Sequence, residues 1–275
     1  MTDAHLNVLL AAADPGDEQR IRARLGLPAP GGGAVPPTVW TGGRWMSSGD
    51  VPASVVLWML ERDRPEVNEI VFFSALADRA IRRDIQRGLP FGDRAAGSVP
   101  VAKRVRTAAA SDLRDVGAAE AVSELRQVTS MKTGRSAAAL VQREHWDSVD
   151  AADRERPLPG YARWALAIRI DCPKEVRERL GAGHPSFAHR MRQAGIVDDP
   201  DVYVRGWGPA RQVLSVLDAG RWAFPERVAQ ALDGLRPLVR ERLGGSTEAW
   251  AVAAQLLPTF TGTVPELVAT AGAIA

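Results

Sequence analysis

Proline and glycine interrupt this sequence roughly every ten to fifteen residues from position 51 onward, and between the breaks apolar residues recur at helical spacing. That punctuation favours many short helices stacked on one another over a bundle of long ones. Val51 to Glu61 carries Val55, Trp58 and Met59 on one stripe behind Pro52. Pro65 opens the next helix, with Val67, Ile70, Val71 and Phe73 on its apolar side. Ala77 to Arg87 ends at Gly88, a C-cap residue, with Pro90 just beyond. Further helices are predicted over 100–109, 111–128, 134–145, 158–170, 173–180, 185–194, 208–219, 225–243, 246–257 and 264–274. Pro159, Pro173, Pro185, Pro209, Pro225 and Pro265 stand at or near first turns, and Gly181, Gly195, Gly220 and Gly244 near ends. Residues 201–207 are too short a run to assign, and no other stretch alternates with period two over strand length. The predicted fold class is all-α, an irregular HEAT-like helical repeat (an α-solenoid) in which each unit covers its neighbour's apolar face.

Two short helices, His5 to Ala13 and Gly16 to Leu25, precede this array. Residues 26–50 then hold eleven Gly or Pro, which forbids a helix or regular strand. Trp40 and Trp45 argue that part of this loop is pinned against the body, around a flexible middle. The sequence therefore divides into an N-terminal segment, 1–50, and a helical-repeat domain, 51–275.

The rest of the composition narrows the setting. The 275 residues are 45% hydrophobic and 25% charged, enough to bury a core without disulfides or metal. No apolar run approaches the ~20 residues of a membrane span. The N-terminus lacks the basic region of a secretory signal. The single cysteine, Cys172, has no internal partner, so a reducing, cytoplasmic setting is expected.

Only one region departs from charge balance. Residues 76–106 carry eight basic and three acidic groups. Arg79, Arg82, Arg83 and Arg87 follow helical spacing and are expected to share a face, with Lys103, Arg104 and Arg106 beyond a loop. These seven are the candidate binding residues, suited to an acidic protein surface or to phosphates. The same pattern also describes a solvated helix face.

Several runs carry a resemblance. Pro157 to Leu166 with Asp171-Cys172-Pro173, His184 to His189, and Ala249-Trp250 through Pro258 to Gly262 and on to Ala275 resemble uncharacterised actinobacterial helical proteins of HEAT-like or variant leucine-rich-repeat type. The resemblance spans most of residues 50–275. It implies the helical fold and no activity.

The string Trp146-Asp147-Ser148-Val149-Asp150 resembles a motif of the alkylpurine DNA glycosylases built from HEAT-like repeats. In that family the matching Trp packs on the damaged nucleotide and the matching Asp stabilises the cationic sugar. The resemblance thus makes Asp150 and Trp146 the alternative catalytic pair. Read from the residues, they equally suit a Trp at a helix junction and an Asp capping the next segment.

Other chemistry finds little support. His184 and His189 miss the i, i+4 spacing of helical metal ligands, and no cofactor or metal is expected. Cys172 reads as a small buried residue. Gly181-Ala182-Gly183 lacks the preceding strand of a dinucleotide loop, and Lys132-Thr133-Gly134 lacks its β-lactamase partner motif. The sequence therefore predicts a non-catalytic helical scaffold whose partner is another protein. The alternative is a nucleic-acid-binding protein or a glycosylase acting on alkylated bases.

Overall fold

The computed structural model describes residues 2–28, 51–92 and 97–275. Among these the regular structure is entirely helical, without strands. The helices are α1 (Thr2–Leu10), α2 (Pro15–Leu25), α3 (Ser54–Leu60), α4 (Pro65–Phe72), α5 (Arg79–Gln86) and α6 (Lys103–Thr107). Next come α7 (Ala118–Arg126), α8 (Met131–Leu140), a 3-10 turn (Arg143–His145), α9 (Trp146–Glu155), α10 (Gly160–Ala167), α11 (Lys174–Gly181) and α12 (Phe187–Gln193). The chain ends with α13 (Pro200–Gly206), α14 (Ala210–Ala223), α15 (Pro225–Arg242), α16 (Thr247–Leu256) and α17 (Val264–Ile274). The all-α prediction holds. The Gly/Pro-rich stretch with Trp40 and Trp45 lies outside the described residues.

The chain forms two compact units, one of residues 1–51 with 197–275 and one of residues 52–196. This grouping differs from the boundary read at residue 50. In the first unit α1 packs on α14 and α15, and α2 packs on α16. Apolar faces of the N-terminal helices are thereby spent on the C-terminal ones, with Leu9, Leu10 and Ile21 fully enclosed. Here α17 touches α13, α14, α15 and α16, so this unit is a bundle around its last helix rather than a one-dimensional stack. Trp250 sits in its core and donates its indole N–H to the Gly244 carbonyl at 3.0 Å.

In the second unit the main packing pairs run serially: α3 on α4, α4 on α5, α5 on α8, α7 on α8 and α9, α8 on α10, and α10 on α11. The tightest approach is made possible by Gly134. A Cβ there would lie 2.7 Å from the Tyr161 carbonyl oxygen and 3.2 Å from the Ala165 Cβ, so only glycine lets α8 meet α10.

Some helix boundaries are set by capping chemistry and depart from the apolar period. α8 begins at Met131, not 134, because Ser130 and Thr133 form a reciprocal capping box. It stops at Leu140, and the predicted helix through 145 continues only as the 3-10 turn. The unassigned run at 201–207 is helical through Gly206, in α13, opened by Pro200. Residues 111–117, expected to be helical, form an irregular strap instead. Gln86 holds it by donating to the Ala109 carbonyl at 2.9 Å and accepting from the Ser111 N–H at 3.1 Å. Gly181 ends α11 as read and also serves packing, since a Cβ there would lie 2.2 Å from the Phe187 ring. Gly220, read as a helix end, lies inside α14, where a Cβ would lie 2.3 Å from Phe224. Gly88 and Gly195 do end their helices, in the left-handed conformation at φ 66° and 71°.

Candidate functional site

The seven basic candidates do not form one face. Arg83 is buried, 2% exposed, and points into the end of α8. Its guanidinium donates to the Ala139 carbonyl at 3.0 Å and to the Val141 carbonyl at 3.4 Å, and its Nε donates to Asp84 at 2.8 Å. Helical spacing placed Arg83 beside Arg79 and Arg87, but the packing of α5 on α8 turns that position inward. Three others are neutralised locally. Arg79 pairs with Asp112 at 2.5 Å, Arg87 with Asp115 at 2.8 Å and Arg104 with Glu69 at 2.7 Å. Arg104 also stacks on Phe73, 4.8 Å from its centroid. The hydrogen bonds from Arg79 and Arg87 hold the Asp112 and Asp115 carboxyls below their ordinary range. The strap that was expected to be helix thus supplies the counter-charges to α5.

Arg82, Lys103 and Arg106 have no carboxylate partner among the described residues. Arg82 donates to the Ser74 carbonyl at 2.8 Å and has a buried Nε without a partner. It borders a cleft of about 430 Å³ between α5, α8 and α10, together with Asp78, Arg79, Arg135 and the edge of Arg169. Arg135, on α8, is exposed and likewise has no carboxylate partner. The Asp78 side chain is committed to capping α5, accepting the Ile81 N–H at 2.8 Å.

The Trp146–Asp150 pair is enclosed. Trp146 is 2% exposed, and the Arg169 guanidinium lies 5.2 Å from its ring centroid. A ring so covered presents no open face on which a base could stack. Asp150 is largely buried between Arg154, at 2.9 Å, and Arg179. Two guanidiniums already occupy the carboxylate that the glycosylase resemblance would assign to a sugar cation.

What the tryptophan covers is a buried ionic cluster. Arg169 grips Asp171 through Nε at 2.9 Å and its terminal amine at 2.6 Å, and donates to the Val141 carbonyl at 2.7 Å and to the Ala138 carbonyl. Burial opposes charge on Asp171, but Arg169 and then Arg143 hold its carboxyl below the usual range. Neighbouring Asp84 goes the other way. Burial pushes its carboxyl up, Arg83 only partly opposes that, and Asp171 adds to it.

Arginines recur throughout as donors to helix C-terminal carbonyls. Arg126 donates to the end of α9 at Ala152 and Arg156, both 3.0 Å. Arg177 is buried and donates to Ala167 and Arg169 at 3.0 Å, closing α10. Arg163 reaches the Arg179 carbonyl of α11 at 2.9 Å. The last carbonyls of a helix lack intrahelical donors, and a five-donor cation satisfies several at once.

A second cavity, of about 510 Å³, was not singled out by the sequence. Trp164 and Phe187 form its wall edge to face, with centroids 6.4 Å apart, and Arg190 lies 5.1 Å above the Trp164 ring. Trp164 and Tyr161 on α10, and Phe187 and Arg190 on α12, are each three apart. That pairing of i, i+3 aromatic and cationic positions was visible in the sequence, but not that the two helices converge.

Among the described residues no group of three His, Cys, Asp or Glu is arranged to hold a metal ion, and no helix is long and apolar enough to cross a membrane. His5 is buried, and burial, reinforced by Arg211, lowers its pKa. Cys172 is buried at 4% exposure.

Fold and site define an all-helical protein whose second unit carries an arginine-bordered cleft and an aromatic cavity. No family model, curated protein or solved structure matches the chain.

Proposed function

We propose that the chain is a non-catalytic helical binding protein that engages an acidic segment of another protein at the cleft bordered by Arg82 and Arg135. The serial packing of the second unit is read as degenerate HEAT-like repeats, an architecture that offers extended grooves to a partner chain. One observation carries the reading. Of the four arginines that line the cleft, Arg79 and Arg169 are paired with Asp112 and Asp171, while Arg82 and Arg135 have no carboxylate partner among the described residues. A carboxylate from a partner would complete them by charge-assisted, bidentate hydrogen bonds. Lys103 and Arg106, exposed and unpaired among the described residues, add positive charge on neighbouring α6.

The experiment titrates the full chain in parallel with a glutamate-rich peptide and a mixed-sequence DNA duplex near physiological salt. Peptide binding that weakens about tenfold in Arg82→Ala/Arg135→Ala is expected, with no measurable duplex affinity. Duplex binding whose log affinity falls by about 0.9 per contact against log salt would replace this reading with nucleic-acid binding. Release of an alkylated base that Asp150→Asn abolishes would overturn the non-catalytic assignment.

A further inference from the structure

We infer that the 510 Å³ cavity between α10, α11 and α12 is a binding site for a small planar aromatic anion, such as an aromatic carboxylate. It is separate from the arginine-bordered cleft and does not depend on the function proposed for that cleft.

The cavity is built, not incidental. Gly181 closes α11 without a side chain, and a Cβ there would intrude to 2.2 Å from the Phe187 ring. The missing side chain leaves room for the Phe187 ring at the helix end, where it meets Trp164 in a T-shaped arrangement. Arg163 is fixed in the wall by Asp153, at 3.4 Å, and by the Arg179 carbonyl, at 2.9 Å. Tyr161 stands at the rim, 51% exposed. The volume falls in the range of about 300–1,000 Å³ typical of small-molecule sites.

Charge decides the class of ligand. Aromatic walls alone would suit a quaternary ammonium ion, which binds to ring faces. Here no Asp or Glu lines the cavity, while Arg163 and Arg190 do, so a cation is repelled. Arg163 is already engaged by Asp153, whereas Arg190 makes no ion pair among the described residues and is held only by its stack on Trp164. A guanidinium oriented by an indole keeps its hydrogen-bonding edge free. A planar acid would therefore set its ring against Trp164 and Phe187 and its carboxylate on the Arg190 edge. Both contacts are required, which excludes a purely apolar ligand and a bare inorganic anion.

The test titrates the full chain by calorimetry with three probes: indole-3-acetate, its neutral amide, and cyclohexylacetate. Saturable binding of indole-3-acetate is expected, with the amide and the non-aromatic acid each weaker by about tenfold or more. Arg190→Gln, at an exposed position, should bring the acid down to the affinity of the amide. Trp164→Leu should weaken acid and amide together; if it fails to fold, Tyr161→Ala at the rim replaces it and is expected to act in the same direction more weakly. Equal affinity for acid and amide, an acid preference that survives Arg190→Gln, or no saturable binding of any aromatic acid at millimolar concentration would each overturn the assignment.

Discussion

Arg169 holds Asp171 by two parallel hydrogen bonds, at 2.9 and 2.6 Å, with both side chains shut away from water. Only Ile170 separates them along the chain, yet the pair ties the segment after α10 to the end of α8 through the Ala138 and Val141 carbonyls. The second buried pair, Arg83–Asp84, is less complete. It has one bond at 2.8 Å, and Asp84 Oδ2 has no partner.

This asymmetry predicts unequal costs. Asp171→Asn leaves a buried guanidinium without its counter-charge and should destabilise the fold by about 3–5 kcal/mol. Asp84→Asn should cost about 1 kcal/mol or less, because the site already disfavours the charged form and an amide oxygen still accepts from Arg83. Urea denaturation of both variants measures the difference, and equal costs would contradict the assignment of Asp171 as the principal counter-ion.

The two aspartates also predict opposite pH dependence. The Asp171 carboxyl is held below its ordinary value near 4, so its contribution is present above about pH 4 and is lost as pH falls through the depressed value. The Asp84 carboxyl is raised, so its contribution is complete below about pH 4 and is lost as pH rises through the raised value. As pH climbs from about 4 toward neutrality, Asp84→Asn should therefore gain stability relative to the parent. Urea midpoints of the two proteins across that range test this; a constant difference refutes it.

Gly134 predicts a steric limit. Gly134→Val would drive a side chain into the Tyr161 carbonyl and Ala165, separating α8 from α10 at a cost of about 1–3 kcal/mol. Thermal melting should detect the loss. A neutral substitution would mean that the two helices slide apart freely.

Cys172 is expected to be inert. The thiol is enclosed beside Pro173 and contacts the Pro173 carbonyl at 3.7 Å. Alkylation of the native protein should be slow and should become rapid only in denaturant. Fast native labelling would instead reveal an open path to the thiol.

How far the candidate site was legible in the sequence differs residue by residue. Helix starts near residues 77 and 264 were read correctly, and Asp78 and Thr263 cap them by accepting backbone N–H groups, whereas the cap at Ser130, equally short-range, was missed and its helix was placed three residues late. The arginines on α5 were equally visible, but their roles were not, because Arg79, Arg83 and Arg87 meet Asp112, the α8 carbonyls and Asp115 across long stretches of chain. Trp146 and Asp150 illustrate the same limit: their spacing was plain, while their enclosure by Arg169 and Arg179 required the turns that bring those residues back.

The sequence by itself determined that this chain is built of short helices, because proline, glycine and capping residues act on their immediate neighbours. Tertiary structure alone decided which helices form each unit and which charges remain free. An exposed arginine and one that closes a neighbouring helix carry the same local signal, and only packing, which sets burial and partner together, separates Arg82 and Arg135 at a cleft from Arg83 in the core.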